Sequence, residues 1–257
     1  MPHNLFGDMA EASIAFLREC EPPEGYVLAF SGGKDSVVIH DLATRAGVPF
    51  KAIYSITNVD PPELVWFIKR HYPHVERRPP RRSIWRLIEA KGLPSIRYRF
   101  CCSELKERVT RDATIITGVR ADESIARRSR GPFEQSRKYA DVRFVHPILS
   151  WTAADVWGYI RERGLPYCEL YDQGFSRLGC VVCPFNRNIR ASMARWPKLF
   201  AAARRAIQRR WDTGKAAELR KSKRFDGPED FWQWWLRRVE SDEPYPEPQR
   251  TCDGLFV

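Results

Sequence analysis

The chain has 257 residues, 43% of them hydrophobic, which suits one sizeable α/β domain with an extension or two small domains. No apolar run approaches the length of about 18 residues that a membrane span needs, so the sequence predicts no membrane partner. The net charge of +11 and pI of about 9.5 favour polyanionic partners such as nucleotides or nucleic acid, with a solvated basic face as the alternative.

Strands and helices alternate along the first two thirds of the chain. Apolar and amphipathic patterns predict helix 11–20, strand 26–30, helix 37–46, strand 51–56, helix 60–71, strand 75–78, helix 83–90, strand 114–117 and helix 152–163. Asp60 is the predicted N-cap of its helix, with Pro61 in the first helical position. The alternation implies βαβ crossovers, so we expect an α/β fold with a doubly wound, mostly parallel sheet.

The last quarter of the chain has a different composition. Residues 186–211 are rich in arginine and alanine and predict a helix, 226–238 predict a helix with an aromatic face, and 243–249 form a proline-rich, acidic tail. We therefore expect an N-terminal helix (1–24), a nucleotide-binding and cysteine domain (25–185) and a helical extension (186–257). The first residues lack a signal peptide's basic start and apolar middle, so a cytoplasmic location is expected.

The most informative segment is SGGKDS at residues 31–36, between an apolar strand and a helix. Glycines without Cβ atoms let several backbone N–H groups converge on one anion, and the helix N-terminus adds its dipole. Lys34 adds a mobile positive charge, and Ser31 and Ser36 add hydroxyls. The segment is not a Walker A loop, because the G-x-x-x-x-G-K-[ST] pattern is absent. A phosphate site is predicted, with an ordinary glycine turn as the alternative.

This string resembles the PP-loop of the ATP pyrophosphatases, also called adenine nucleotide alpha hydrolases, which cleave ATP between the α and β phosphates. The resemblance implies an enzyme that binds ATP with Mg²⁺ at its phosphates. Lys34, Asp35 and Arg120 are the catalytic candidates: the cations would stabilise charge at the α phosphate, and Asp35 would hold Mg²⁺. The predicted nucleotide-binding residues are Ala29, Phe30, Ser31, Gly32, Gly33, Lys34, Asp35, Ser36, Thr57, Gly118 and Arg120.

Seven cysteines lie at positions 20, 101, 102, 168, 180, 183 and 252. An odd number in a chain expected to be intracellular favours metal or redox chemistry over disulfides. Two pairs, Cys101–Cys102 and the C-x-x-C of Cys180 and Cys183, form a candidate set of four thiolates. Adjacent cysteines do not converge easily on one ion, which favours an iron–sulfur cluster. Structural zinc and buried, inert cysteines are the alternatives, and Cys168 is a candidate substitute for one member of the first pair.

With these pairs the chain resembles the assimilatory adenylylsulfate reductases of the phosphoadenosine phosphosulfate (PAPS) reductase family. In those enzymes the four cysteines hold a 4Fe–4S cluster, which implies Cys101, Cys102, Cys180 and Cys183 as its ligands here. The family resemblance extends to CCxxLK at 101–106, TGVRADES at 117–124 and YDQGFSRLGC at 171–180. Residues 59–65 and the Trp-rich helix resemble a prophage- and bacteria-associated branch of the family.

Two departures separate the functions that this family implies. The reductases usually carry a degenerate loop and a Glu-Cys-Gly-x-His tail, whereas here the loop is intact and Cys252 lies between Thr251 and Asp253. We therefore expect ATP cleavage, with adenylation coupled to sulfur transfer, as in the DNA phosphorothioation PP-loop protein and cluster-dependent tRNA thiolases. The alternatives are a thiol-dependent sulfonucleotide reductase that releases sulfite and a nucleic-acid-binding accessory protein.

The expected partners follow from these functions. They are an adenine nucleotide, a DNA or tRNA substrate, and a sulfur donor or thioredoxin-like protein.

Several further side chains carry open interpretations. Asp122 and Glu123 are candidates for metal or ribose contacts or for helix capping, and Arg177 and Lys106 for offsetting thiolate charge. Arginines 127, 128, 130 and 137 are candidates for a lid over an anionic substrate or for a plain surface loop. The tryptophans of the last helices are candidates for a nucleic-acid platform or for a helical core.

Overall fold

The computed structural model describes residues 5–106, 112–137, 139–217 and 225–240. It divides into two compact units. The first takes the described residues of Met1–Ile56, Pro62–Pro79 and Arg108–Gly179, and the second those of Thr57–Pro61, Pro80–Glu107 and Cys180–Val257. The predicted segments 1–24, 25–185 and 186–257 are contiguous in sequence, whereas these units interleave; that division stays a prediction.

The first unit is built on one sheet. Its six strands within the described residues are β1 (Tyr26–Ala29), β2 (Phe50–Ser55), β3 (Glu76–Arg78), β4 (Ala113–Ile116), β5 (Phe133–Gln135) and β6 (Val142–Val145), in the order β3–β2–β1–β4–β6–β5. The buried Tyr26 of β1 pairs in parallel with Phe50 on one side and Thr114 on the other. Only the β5–β6 pair in this sheet is antiparallel. The predicted α/β fold with a mostly parallel sheet is confirmed.

Helices flank this sheet and make up the second unit. In chain order they are α1 (Leu5–Glu19), α2 (Lys34–Ala46), α3 (Pro62–His71), α4 (Ile84–Lys91), α5 (Phe100–Leu105), α6 (Ile125–Arg128), α7 (Ala153–Arg163), α8 (Ile189–Arg195), α9 (Pro197–Asp212) and α10 (Pro228–Glu240). In the first unit, α1, α2 and α7 pack against one another. Thr152 and Asp155 close a capping box at the start of α7, and Gly164 ends it with a φ of 59°. No helix of the described residues is long and apolar enough to cross a membrane.

Several elements differ from the sequence predictions. Helix α2 begins at Lys34 rather than near Val37, which places the end of the SGGKDS segment in its first turn. Strands β5 and β6 were not predicted, because three- and four-residue strands carry too little alternation to stand out. The single helix predicted over 186–211 is two helices, since Pro197 cannot continue α8 and instead opens α9.

The second unit has an aromatic core. Helix α9 packs against α4, α8 and α10. Trp196, Trp211, Trp232 and Trp235 are each at most 6% exposed, and the Trp235 indole donates a hydrogen bond to the carbonyl of Pro94 at 2.8 Å. Buried rings cannot stack on nucleobases, so the platform interpretation is wrong for these four tryptophans and they form a helical core.

Candidate functional site: a phosphate loop and a group of four cysteines

Two glycines shape the loop between β1 and α2 in the first unit. Gly32 has a φ of 73°, a left-handed conformation that glycine adopts freely. A Cβ at Gly32 would also lie 2.7 Å from the Ile68 side chain of α3, so packing excludes any other residue there. Gly33 is the extended N-cap of α2 and has no side chain to bond the first turn. The N-cap residue therefore leaves the N–H groups at the start of α2 to acceptors from outside the helix, as in helix N-termini that bind anions.

Hydroxyl groups line the same loop. The N–H of Gly33 donates to Ser31 Oγ at 3.3 Å, and Ser36 Oγ donates to the carbonyl of Gly33 at 2.8 Å. The phenol oxygen of Tyr171 accepts from the backbone N–H of Lys34 at 2.9 Å, and burial raises the pKa of this phenol. The sequence analysis did not assign Tyr171, although it opens the YDQGFSRLGC motif. These groups give the loop donors and acceptors on several sides.

Two buried cations meet at one carboxylate in the first turn of α2. Lys34 Nζ lies 2.9 Å from Asp35 Oδ2, and Arg120 Nε lies 2.7 Å from Asp35 Oδ1. The side chains of Lys34 and Arg120 are only 8% and 5% exposed. Arg120 also contacts Asp122 Oδ1 at 2.5 Å. The three predicted catalytic residues are thus in direct contact. Both carboxylate oxygens of Asp35, the predicted Mg²⁺ ligand, accept from cations.

The carboxyl end of β4 comes close to this turn through a glycine. A Cβ at Gly118 would lie 2.9 Å from the Cβ of Asp35 and 3.2 Å from its backbone carbon, which is closer than real side chains come. Gly118 therefore allows the approach that brings Arg120 to Asp35. Ala29 is exposed at the carboxyl end of β1, and the N–H of buried Phe30 donates to the carbonyl of Ile53 at 2.9 Å. The predicted adenine contacts of Ala29 and Phe30 stay predictions.

Arginines from separate segments of the first unit surround the same turn. Burial lowers the pKa of Arg127, and the charges of Arg177 and Arg130 lower it further. Arg127 is paired with Glu123, whose carboxylate also accepts from the backbone N–H of Arg120 at 3.2 Å. A cation whose pKa is lowered by neighbouring cations marks a place where an added anion is stabilised. Arg177, which was predicted to offset thiolate charge, is one of the cations that act on Arg127.

Four cysteines lie together in the second unit. Cys101 and Cys102 lie on α5, whereas Cys180 and Cys183 belong to the loop before α8. The pKa of Cys101 is raised by a hydrogen bond with Cys102 first, then by burial and by the charges of Cys102, Cys180 and Cys183. Burial raises the pKa of Cys180 to about 12. All four thiols therefore belong to one electrostatic group.

Three further residues of the second unit act on this group. The charge of Cys180 raises the pKa of Lys106, and Asp60 raises it further. Asp60 is 8% exposed and lies two residues before α3, which begins at Pro62; its predicted capping role stays a prediction. The Thr57 hydroxyl hydrogen-bonds the Cys180 sulfur, and Val181 N–H donates to the carbonyl of Val59 at 2.8 Å. Thr57 lies with the cysteines, and its predicted adenine contact stays a prediction.

The chemistry of this donor set fits a thiolate-bound metal group. Within the described ranges, no three histidine, cysteine, aspartate or glutamate side chains are arranged to hold a single ion. Cys101 and Cys180, whose thiolate forms are disfavoured by burial and by neighbouring thiolates, need positive charge to ionise, and bound iron would supply it. Cys168 lies in the first unit, where burial raises its pKa. Its predicted role as a substitute ligand stays a prediction, and Cys252 lies outside the described residues.

Comparison with known proteins identifies the family. A profile of the phosphoadenosine phosphosulfate reductase domain matches residues 25–186. The chain belongs to the PAPS reductase family. The adenosine 5'-phosphosulfate reductase of Allochromatium vinosum is 27% identical over 188 residues, covering 67% of this chain and 73% of that enzyme. The family resemblance that the sequence motifs predicted is therefore confirmed.

Other relatives of this PAPS reductase family chain are longer. An uncharacterized protein of Methanocaldococcus jannaschii is 29% identical over 224 residues, covering 80% of this chain and 51% of its own length. An uncharacterized 37.8 kDa protein of Escherichia phage 186 is 35% identical over 123 residues, covering 42% of this chain and 37% of its own length. The chain thus spans about half the length of the first of these relatives and less of the second.

Solved structures agree on the fold. The PAPS reductase of Candida auris, solved with phosphate, covers 70% of this chain and 96% of its own at a TM-score of 0.51 and 17% identity. The FMN adenylyltransferase of Candida glabrata, solved with FMN and an ATP analogue, covers 69% and 64% at a TM-score of 0.51 and 18% identity. At these identities the likeness shows that the fold is shared, and it carries no conclusion about function.

Proposed function

We propose that the chain binds ATP at residues 31–36, cleaves it between the α and β phosphates, and couples adenylation of an acceptor to sulfur transfer. The observation that carries the proposal is the pair of buried cations, Lys34 and Arg120, held on the two oxygens of Asp35 in the first turn of α2. Preorganised positive charge in a buried site stabilises the charge that develops as a phosphate bond breaks.

Each loop group has a role in the proposed reaction. An acceptor oxygen attacks the α phosphorus, the bond from that phosphorus to the bridging oxygen breaks, and pyrophosphate leaves with the electron pair. First-turn N–H groups of α2 and the hydroxyls of Ser31 and Ser36 would bind the departing pyrophosphate. Lys34 and Arg120 would turn from Asp35 to the α phosphate, and Asp35 would then be released to hold Mg²⁺.

The sulfur chemistry is assigned to the second unit. Cys101, Cys102, Cys180 and Cys183 would hold a 4Fe–4S cluster, which when bound would supply electrons or carry sulfur. Lys106 would offset the thiolate charge, and the Thr57 hydroxyl would orient Cys180 by its hydrogen bond. Structural zinc is the alternative occupant of the same four thiolates.

A second candidate function is reduction of an adenosine sulfonucleotide. The observation in its favour is that relatives with a named activity, such as those of Allochromatium vinosum and Bacillus anthracis, are adenosine 5'-phosphosulfate reductases. Two electrons from thiols would cleave the bond between sulfur and the phosphate oxygen, releasing AMP and sulfite. The same loop and cations would hold the phosphate of the nucleotide in that reaction.

Product analysis separates the two functions. Anaerobically purified protein is incubated with ATP or with adenosine 5'-phosphosulfate, and AMP, pyrophosphate and sulfite are measured. We expect AMP and pyrophosphate from ATP, and a fall of about 100-fold or more in Lys34→Ala and Arg120→Ala. The control is Lys69→Ala, an exposed lysine of α3 that lies over the Trp66 ring. Sulfite from the sulfonucleotide without pyrophosphate from ATP would overturn the first proposal in favour of the second.

A further inference from the structure

Two turns of the second unit present exposed aromatic rings beside the cysteines. Tyr98 precedes Cys101 by three residues and is 39% exposed. Phe185 follows Cys183 by two residues and is 44% exposed. The unit has a well-packed core of other aromatic side chains, so two rings left at the surface on the two cysteine-bearing segments need a separate explanation.

The turn that carries Tyr98 is held in place. Ser95 and Tyr98 bond each other twice, with Ser95 N–H donating to the Tyr98 carbonyl at 3.2 Å and Tyr98 N–H donating to Ser95 Oγ at 3.0 Å. The preceding carbonyl of Pro94 accepts from the buried Trp235 indole at 2.8 Å. The Tyr98 ring rests against Phe100, with ring centres 5.3 Å apart. Tyr98 is therefore exposed on an anchored turn.

The turn that carries Phe185 is fixed in the same way. The N–H of Asn186 donates to the carbonyl of Cys183 at 3.0 Å. The Asn186 side chain donates to the carbonyl of Val181 and to Ser192 Oγ, both at 2.9 Å. These bonds hold the backbone on both sides of Phe185, so its ring is preorganised at the surface rather than placed there by a loose loop.

The charged residues of both turns are all basic. The Arg99 guanidinium lies over the Phe185 ring at 5.7 Å and so links the two turns. Arg97, Arg99 and Arg187 are exposed, and residues 94–100 and 184–190 contain no aspartate or glutamate. Arginines interleaved with exposed rings match the combination that binds unpaired nucleotides, whose bases stack and whose phosphates pair with cations. A protein partner would need no such regular alternation.

We propose that this surface, the aromatic patch of Tyr98, Arg99, Phe185 and Arg187, binds a single-stranded segment of nucleic acid. Bases would stack on Tyr98 and Phe185, and phosphates would contact the arginines. The inference deepens the proposed function. It rests on that function only in naming the bound strand as the acceptor of sulfur. Binding itself needs neither ATP nor metal.

The test is fluorescence anisotropy of labelled 12-nucleotide single strands, one RNA and one DNA, with the full chain at several salt concentrations. Tyr98→Ala and Phe185→Ala are expected to weaken binding about 5-fold or more each, because a stacked base contributes that much. Tyr98→Phe should bind the strand as tightly as the wild type does, since the ring is kept. Arg99→Ala and Arg187→Ala should each lower the slope of log K against log salt by about 0.7. The comparison of RNA with DNA tells which sugar the surface accepts.

Matched controls are Trp66→Ala, an aromatic that is 65% exposed on α3 of the first unit, and Arg161→Ala, an exposed arginine of α7. Unchanged affinity in all patch variants, or an equal loss in the controls, would overturn the proposal. Self-association that Tyr98→Ala abolishes would assign the surface to a second copy instead. Since the assay contains no ATP, loss of ATP cleavage in Lys34→Ala with unaltered strand binding bears only on the proposed function.

Discussion

Substituting Gly118 by alanine tests whether the close approach of β4 to α2 builds the phosphate site. The added methyl would lie 2.9 Å from the Cβ of Asp35 and 3.2 Å from its backbone carbon. Backbone at a helix start cannot move aside as a flexible side chain can, so the clash must displace Asp35 and the cations on it. Overpacking of this kind costs about 1–3 kcal/mol, which in a protein of this size lowers Tm by about 2–10 °C.

The assay combines thermal unfolding with calorimetric titration of ATP. Gly118→Ala should lower Tm as stated and weaken ATP binding about 10-fold, because Arg120 reaches Asp35 through this approach. Gly227→Ala is the matched control: it has no atom within 4 Å of its added methyl and no positive φ, so it should leave both values unchanged. A Gly118→Ala protein with wild-type Tm and wild-type affinity would refute the reasoning.

Three further outcomes follow from the contacts. Tyr171→Phe removes the phenol oxygen that accepts from the first N–H of α2, so it should lower the free energy of unfolding by about 1 kcal/mol in urea titration. The loss should be larger than that in the control Tyr167→Phe, because the Tyr167 phenol is exposed. Burial and then His74 lower the pKa of His40 from 6.5 to about 4, so the unfolded chain binds the extra proton. Stability should therefore fall by about 1–2 kcal/mol, discounted for exposure, as pH drops from 6.5 to 4, and His40→Phe should flatten this dependence in pH-dependent denaturation. Cys180→Ser should lose iron in metal analysis of anaerobic protein, and stoichiometric zinc without iron in the wild type would contradict the cluster.

The turn geometry of the SGGKDS loop was accessible from sequence because its determinants are local. A buried strand, two glycines and a helix start lie within residues 26–36, and the same residues that make the turn carry the charge. Gly32 illustrates this: one position supplies both the left-handed φ and the space that Ile68 requires. Pairing of β1 between β2 and β4 then follows from burial of a short apolar strand on both sides.

The rest of the first site depends on contacts between distant segments. Tyr171 reaches the start of α2 from 137 residues away, and nothing in its neighbourhood indicates that its hydroxyl accepts from Lys34. Arg177 has the same difficulty: its charge acts on Arg127, a partner that its sequence position did not suggest, and its predicted effect on the cysteines stays a prediction. Sequence spacing predicts partners within one turn or strand, and it predicts poorly which loops a sheet brings to one edge.

The carboxylates at the phosphate site bear on which nucleotide fits it. Lys34 and Arg120 are paired with Asp35 and Asp122, so these two cations already have carboxylate partners before any ligand binds. A nucleotide that brings only its own negative charge must displace these carboxylates and leaves them without a counterion. A nucleotide that arrives with Mg²⁺ supplies the missing positive charge to the acids while its phosphates take the lysine and arginine. The proposed Mg²⁺–ATP substrate would therefore satisfy these acids as well as the cations, and this part of the proposal is independent of the intact glycine loop.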